Sequence, residues 1–426
     1  MPASQPQPNS RSLPGSQPPL AGTPSPADPA AKAVSVSEAS QLAESIRQAA
    51  LSEGFIRCGI APAITSEGFP KLVKWIEAGY AAEMGYFSAR LDAYRHPRGV
   101  LPGAKSLIVM AMPYHAQDPQ TVPVPVNENG NSDNEHTNST WGRVARYTWQ
   151  GTDYHDTIHP KLKRLCRRIG ELAPGSNARG IIDTAPLMER EVAQLAGLGW
   201  RGKNTLLLNR ELGSYFFLAC ILVDVELPAD SPHATSHCGS CTACLDACPT
   251  DAFVQAGVLD ASKCISYLTI EHRDSIPEPL RPGIGNWLFG CDVCQEVCPW
   301  NRKPARRATL PPPTADKSPS DQIDALKNQT DPTPQTQTRD SDSTAPLGWI
   351  DALALFELTE EDFRARFRRS PMWRTRRRGM LRNAAMVLGN IGGAESLPAL
   401  ESASLDDDPV VSESASWASQ QIQRRQ

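Results

Sequence analysis

Eight of the eleven cysteines in this 426-residue chain fall between Cys238 and Cys298. Cys238-x2-Cys241-x2-Cys244-x3-Cys248-Pro249 has the spacing of a bacterial ferredoxin run, and Cys291-x2-Cys294-x3-Cys298-Pro299 has its last three positions. A two-residue gap lets consecutive thiolates converge on one small cubane while backbone amides point at its sulfurs. The fourth cysteine, followed by proline, turns away and serves the other cluster. Crossing the ligands in this way gives Cys238, Cys241, Cys244 and Cys298 to one cluster. Cys248, Cys291 and Cys294 go to the other, whose fourth position has Cys264 as its only nearby candidate. Paired Cys-x2-Cys motifs also build zinc ribbons, but zinc takes four ligands and rarely uses three cysteines two apart before Cys-Pro. The pattern therefore predicts two 4Fe–4S clusters and one-electron transfer between them. Cys58, Cys166 and Cys220 lie in apolar or helical surroundings and read as core residues.

Bunched cysteines argue against a secreted disulfide scaffold, which spreads its bridges through a short chain. Residues 1–36 hold nine prolines among Ser, Gln and Ala, with no basic stretch leading into an apolar one. A disordered tail is expected there, and no secretory signal. The apolar stretch Tyr215–Val225 is about half the roughly 20 residues a membrane span needs. The expectation is a cytoplasmic monomer with reduced thiols and no membrane association. A net charge of −4, from 43 Lys+Arg against 47 Asp+Glu, excludes a uniformly basic coat for nucleic acid but not a local basic face.

The elements that must position these groups are legible in outline. Apolar residues at helical spacing predict helices at Ser37–Ser52, Lys71–Ala78, His155–Leu172 and Pro186–Leu198. Short apolar runs predict strands at Phe55–Ala61, Ser106–Met112, Arg179–Ile182 and Ser214–Val225. This alternation makes 37–228 one mixed domain, interrupted by a polar insertion at 116–140. The cysteine region occupies 229–304. Residues 305–346 read as a second flexible insertion, and 347–426 is helical in pattern, a pair of helices with a Gly break after helix Glu360–Arg368. Between Arg364 and Arg382 stand nine arginines and no acidic residue. Such a run is usually a solvated helix face, but it is also what a phosphate-binding surface needs, with Trp373 or Phe367 available for stacking.

The surrounding blocks resemble the epoxyqueuosine reductases of tRNA modification. The resemblance is carried by Glu83-Met84-Gly85-Tyr86, Arg95-His96-Pro97, Leu101-Pro102-Gly103-Ala104-Lys105-Ser106 and Asp153-Tyr154-His155. It continues through Asp183-Thr184-Ala185-Pro186, Gly202-Lys203-Asn204-Thr205, Gly213-Ser214-Tyr215, both cysteine runs and Leu381-Arg382-Asn383-Ala384. It spans about 37–304 and 347–422, with both insertions longer than the family usually carries.

The resemblance implies an α+β fold: a nitroreductase-like cobalamin-binding domain, a ferredoxin-like two-cluster module and a C-terminal HEAT-like helical segment. It implies reduction of the epoxide of epoxyqueuosine to queuosine at the tRNA wobble position, with an external low-potential electron donor. Nothing in composition or spacing shows cobalamin; that cofactor comes from the resemblance alone. Asp153-Tyr154-His155 resembles the start of the Asp-x-His-x-x-Gly motif that ligates cobalt in some cobalamin proteins. Ile158 replaces the glycine, so a base-off cofactor without a His ligand is expected. Asp183 matches the family's proton donor, although Asp-Thr-Ala-Pro would also make a good helix N-cap. An acid shielded by corrin and substrate would have a raised pKa.

Arg95 matches a family cofactor contact, against the alternative of a solvated charge. Lys203 and Asn204 are candidates for corrin amides or phosphate, or else fill a turn, and Ser266 is a candidate bridge between cluster module and corrin. With an RNA substrate implied, Arg374, Arg376, Arg377, Arg382 and Asn383 become candidates for tRNA contact, the last two at a helix amino end. Two rivals are a reductive dehalogenase, which usually carries a twin-arginine export signal where Arg11 stands alone here, and a non-catalytic electron carrier, which would not need the Asp183 block.

Overall fold

The computed structural model describes residues 35–114, 139–302 and 348–426. The tail at 1–36 and the insertions at 116–140 and 305–346 lie almost wholly outside the described residues.

Helix α1 (Val36–Ser52) buries Ala39, Leu42, Ala43, Ile46 and Ala50 along one face. It is followed by β1 (Arg57–Pro62), α2 (Phe69–Glu77) and β2 (Ser106–Pro113). After β3 (Trp141–Val144) comes α3 (Tyr154–Leu172), whose buried residues Tyr154, Ile158, Leu162, Leu165 and Ile169 recur at helical spacing. Asp153 caps α3, its side chain accepting the His155 amide at 3.0 Å. Ile158 is fully buried in the core against β2 and α1, which is why that position is large and apolar rather than glycine.

Strand β4 (Ala178–Ile181), helix α4 (Glu189–Leu195) and β5 (Phe216–Val223) complete a four-stranded sheet of order β1-β2-β5-β4. Every pairing in it is antiparallel, as an α+β class requires. Strand β2 sends Ile108 and Met110 towards α1 and α3, and Leu107, Val109 and Ala111 towards α4. Covering both faces explains why β2 and β5 are apolar at successive positions instead of alternating.

Beyond the sheet, α5 (Ile265–Ile270), β6 (Trp287–Phe289) and β7 (Trp349–Asp351) join β3. The order is β6-β3-β7, with β6 parallel and β7 antiparallel to β3. The chain ends in α6 (Glu360–Phe367), α7 (Arg376–Ile391), α8 (Leu397–Ala403) and α9 (Pro409–Arg425). Helix α7 is buried on every side from Gly379 to Gly389. Leu268, Leu288, Phe289, Ile350, Phe363, Leu381 and Val387 belong to one hydrophobic cluster, so the cysteine region and the C-terminal helices share a core. The described residues between Val36 and Gln426 form one compact unit.

Two expectations change here. The helix expected at Pro186–Leu198 forms only over Glu189–Leu195. Asp183 therefore stands well ahead of it and does not cap it; its φ of +42° is also foreign to an N-cap, which is extended. Arg382 and Asn383, expected at an exposed helix amino end, lie in the second turn of α7 and are fully buried. Arg382 donates to the carbonyls of Leu268, His272 and Asp274, and Asn383 to those of Thr269 and Leu288. Their polar atoms are spent tying α7 to α5 and β6, so neither presents a charge or donor to tRNA.

Candidate functional site

The cysteines converge in two groups. Cys238, Cys241, Cys244 and Cys298 line one cavity of about 300 Å³ with Lys203 and Asn204. Burial raises the Cys244 thiol to about 11, and the neighbouring Cys298, Cys238 and Cys241 push the same way. Burial also raises Cys294, which then feels Cys264, Cys248 and, across the gap between groups, Cys244. Four thiols facing one partly open cavity, with Cys244 disfavoured from ionising by burial and by its neighbours, are a donor set that bound iron would relieve. The backbone prepares the same sites. The amides of Tyr267 and Ser266 are directed at the Cys264 sulfur, and that of Val293 at Cys291. The Ala252 amide donates to Cys248 Sγ at 3.4 Å. Cys264, chosen from the sequence by nearness alone, thus stands with Cys248, Cys291 and Cys294.

Lys203 and Asn204, which line that cavity, are bonded to the cysteine loops. Lys203 Nζ donates to the carbonyls of Gly239 at 2.8 Å and Cys241 at 2.9 Å, while Asn204 Nδ2 donates to that of Cys294 at 3.2 Å. They clamp the two cysteine loops, because a turn between short strands carries them there. Ser266 contributes its backbone amide to Cys264, and its carbonyl accepts from Thr269. Trp200 and Trp300 pack beside Cys238 and Cys298, their rings 5.0 Å apart.

A second constellation surrounds Asp183, whose side chain is 45% exposed. Tyr154 donates its hydroxyl to Asp183 Oδ2. His155 Nε2 lies 2.9 Å from Asp183 Oδ1, and its Nδ1 lies 2.8 Å from Asp153 Oδ1. Arg374 enters from the C-terminal segment, its Nη2 2.9 Å from His155 Nδ1, 3.2 Å from the Tyr154 hydroxyl and 3.5 Å from Asp153. Burial alone would lower His155, but its bonds to Asp153 and Asp183 outweigh that and raise it to about 9. Beneath the loop, burial raises Glu189 to about 8, with the charge of Asp183 adding to the effect. Glu189 Oε1 is closed off without a hydrogen-bond partner. The positive φ at Asp183 is uncommon outside glycine and is held by this surrounding grip.

Arg95 is 59% exposed, 3.5 Å from Asp92 and 4.8 Å from the centre of the Phe69 ring. In the basic run, Arg374 is committed to the Asp183 constellation and Arg377 donates to the Leu358 carbonyl at 2.8 Å. Arg376 is exposed and lies over the Trp373 ring at 4.3 Å. Phe367 is buried and has no face free for stacking. The exposed charges are Arg364, Arg366, Arg368 and Arg369 together with Arg376.

Residues 237–301 match the family described as a 4Fe-4S double cluster binding domain. Residues 95–184, which contain Asp153, His155 and Asp183, match the family described as "Epoxyqueuosine reductase QueG, DUF1730". An epoxyqueuosine reductase from Cyclobacterium marinum is 38% identical over 346 residues, covering 80% of this chain and 95% of the relative. The chain belongs to the epoxyqueuosine reductase family. Among solved epoxyqueuosine reductases, one in complex with an epoxyqueuosine-modified tyrosine tRNA stem loop superimposes with a TM-score of 0.71 at 28% identity, over 90% of each chain. Another, from Bacillus subtilis with its catalytic aspartate loop swung out of the active site, gives 0.73 at 28% identity, again over 90% of each chain. The mixed helix and sheet fold and the double-cluster domain are thus those of epoxyqueuosine reductases.

Sequence reasoning passed over Tyr154 and Arg374 as members of the Asp183 constellation, and Glu189 altogether. Tyr154 and His155 adjoin the N-cap Asp153 and could have been flagged as polar groups beside a candidate acid. Arg374 carries no local sign of its role.

Proposed function

We propose that this chain reduces epoxyqueuosine in tRNA to queuosine, with Asp183 delivering a proton to the departing epoxide oxygen. The observation that carries this reading is the placement of an accessible carboxyl, gripped by Tyr154 and His155, in the same compact unit as two convergent sets of four cysteines. Cys238, Cys241, Cys244 and Cys298 hold one 4Fe–4S cluster, and Cys248, Cys264, Cys291 and Cys294 the other. An external low-potential donor supplies electrons one at a time.

Base-off cobalamin without a His155 ligand fits the chain, because both His155 nitrogens are already engaged by Asp153 and Asp183 and position 158 is core. When bound, cobalamin supplies the low-valent cobalt that reduces the epoxide carbon. The protein's share is positional. Tyr154 and His155 fix the Asp183 carboxyl at one rotamer, and its 45% exposure lets it meet substrate. Arg95, at the exposed rim, contacts the cofactor. Residues 37–228 act as a nitroreductase-like cofactor domain, 229–304 as a ferredoxin-like module and 347–426 as a HEAT-like segment that meets tRNA through its exposed arginines. No helix among the described residues is long and apolar enough to cross a membrane, and the reading is of a monomer that works in the cytoplasm, where its tRNA substrate is.

The test is anaerobic reconstitution with iron, sulfide and cobalamin, then incubation with reductant and tRNA bearing epoxyqueuosine. Queuosine should form in nucleoside digests. Turnover of a chlorinated arene in its absence would replace this reading by a dehalogenase.

A further inference from the structure

Converting an epoxide to an alkene consumes two electrons and two protons: both carbon–oxygen bonds break, a carbon–carbon double bond forms and the oxygen leaves as water. The electrons come from the external donor through the clusters. A carboxyl carries one proton, so one turnover needs a second. We infer that His155 is a positioning residue that also relays this second proton, reloading Asp183 through the Nε2–Oδ1 contact while Asp153 holds its other edge. The inference rests on the reading of Asp183 as the acid.

The atoms are placed for it. As an imidazolium, His155 donates from Nδ1 to Asp153 Oδ1 at 2.8 Å and from Nε2 to Asp183 Oδ1 at 2.9 Å. Once Asp183 has given up its proton, the Nε2 proton crosses to it. The neutral ring keeps its Nδ1 proton on Asp153, and its bare Nε2 accepts from the reprotonated carboxyl. The titratable and charged groups facing His155 are Asp153 and His159 from its own segment, Asp183 from the loop after β4, Glu189 from the start of α4, and Arg374 from the C-terminal segment. The carboxylates stabilise the imidazolium, and the Arg374 guanidinium 2.9 Å from Nδ1 opposes it, so the proton is held but can be released. The raised His155 value, about 9, keeps the relay loaded at neutral pH and empties it as pH rises through that value. His155 has an exposed fraction of 18%, enough to recover its proton from solvent between turnovers.

The experiment uses reconstituted holoenzyme with an epoxyqueuosine stem loop in single-turnover assays from acid to alkaline pH. His155→Gln should bind substrate and retain iron as the wild type does, yet turn over about tenfold more slowly at neutral pH. It should also lose the alkaline fall near pH 9. His155→Ala should be rescued by added imidazole in proportion to its protonated fraction. Histidine-selective NMR titration should find a wild-type ring with raised pKa that drops in Asp183→Asn. If Asp183→Asn is inactive while His155→Gln keeps both rate and alkaline limb, the relay is wrong and the acid stands. If Asp183→Asn turns over at the wild-type rate, the acid reading itself fails.

Discussion

At the scale of single residues, one side-chain type served two readings at Asp183, and only its neighbours separated them. An aspartate before Thr-Ala-Pro is as good a helix cap as an acid, since both uses need a short carboxylate. Tyr154 and His155, 29 and 28 residues upstream, bind its two oxygens, and the helix that follows starts only at Glu189, so the cap reading falls away. Asp183→Asn should keep its clusters and tRNA affinity but lose about 100-fold in rate, read as queuosine per enzyme in a single turnover. Cys264→Ala should lose one cluster of two, with iron content falling by about half and the absorbance near the thiolate-to-iron band falling in step. Full iron content in that variant would return the fourth position to some other ligand.

At the scale of elements, α3 and α7 show what helical periodicity does and does not reveal. The stripe Tyr154, Ile158, Leu162, Leu165 and Ile169 is a period of about 3.6, so α3 and its buried face were legible. Ile158→Ala should cost about 2–5 kcal/mol of stability, measured as a lowered denaturation midpoint, because it empties fully enclosed core. Helix α7 has no such stripe: it is buried all round, and its arginine-rich start looks like a solvated surface when read alone. Arg382 is buried among carbonyls of α5 and the turn that follows, and burial lowers it to about 10. Arg382→Ala should therefore act on stability, by roughly 3 kcal/mol or more as the charge-assisted bonds are removed and their carbonyls left unpaired. The salt dependence of tRNA binding in that variant should match the wild type.

At the scale of the whole molecule, the basic run divides into an exposed band and a buried anchor. Arg364, Arg366, Arg368, Arg369 and Arg376 are the charges free to meet phosphate. Replacing Arg364, Arg366, Arg368 and Arg369 by Gln should weaken binding of the tRNA stem loop and flatten its salt dependence, by about one unit of slope for each phosphate no longer neutralised. An unchanged slope would move the RNA surface elsewhere. The shared core of cysteine region and C-terminal helices also brings Arg374 from the basic segment up against the acid's neighbours.

The sequence alone determined the metal chemistry and the family, because cluster ligation depends on spacings of two and three residues that the chain carries locally. It also determined the sheet strands and the amphipathic helices, whose apolar patterns are local as well. Tertiary structure decided the rest: that Lys203 and Asn204 clamp cysteine loops, that Arg382 and Asn383 are anchors and that Arg374 joins Asp153, Tyr154 and His155. These roles turn on whether a polar group meets water, a carbonyl or another charge, and the residues supplying those partners are mostly dozens to hundreds of positions away in the chain.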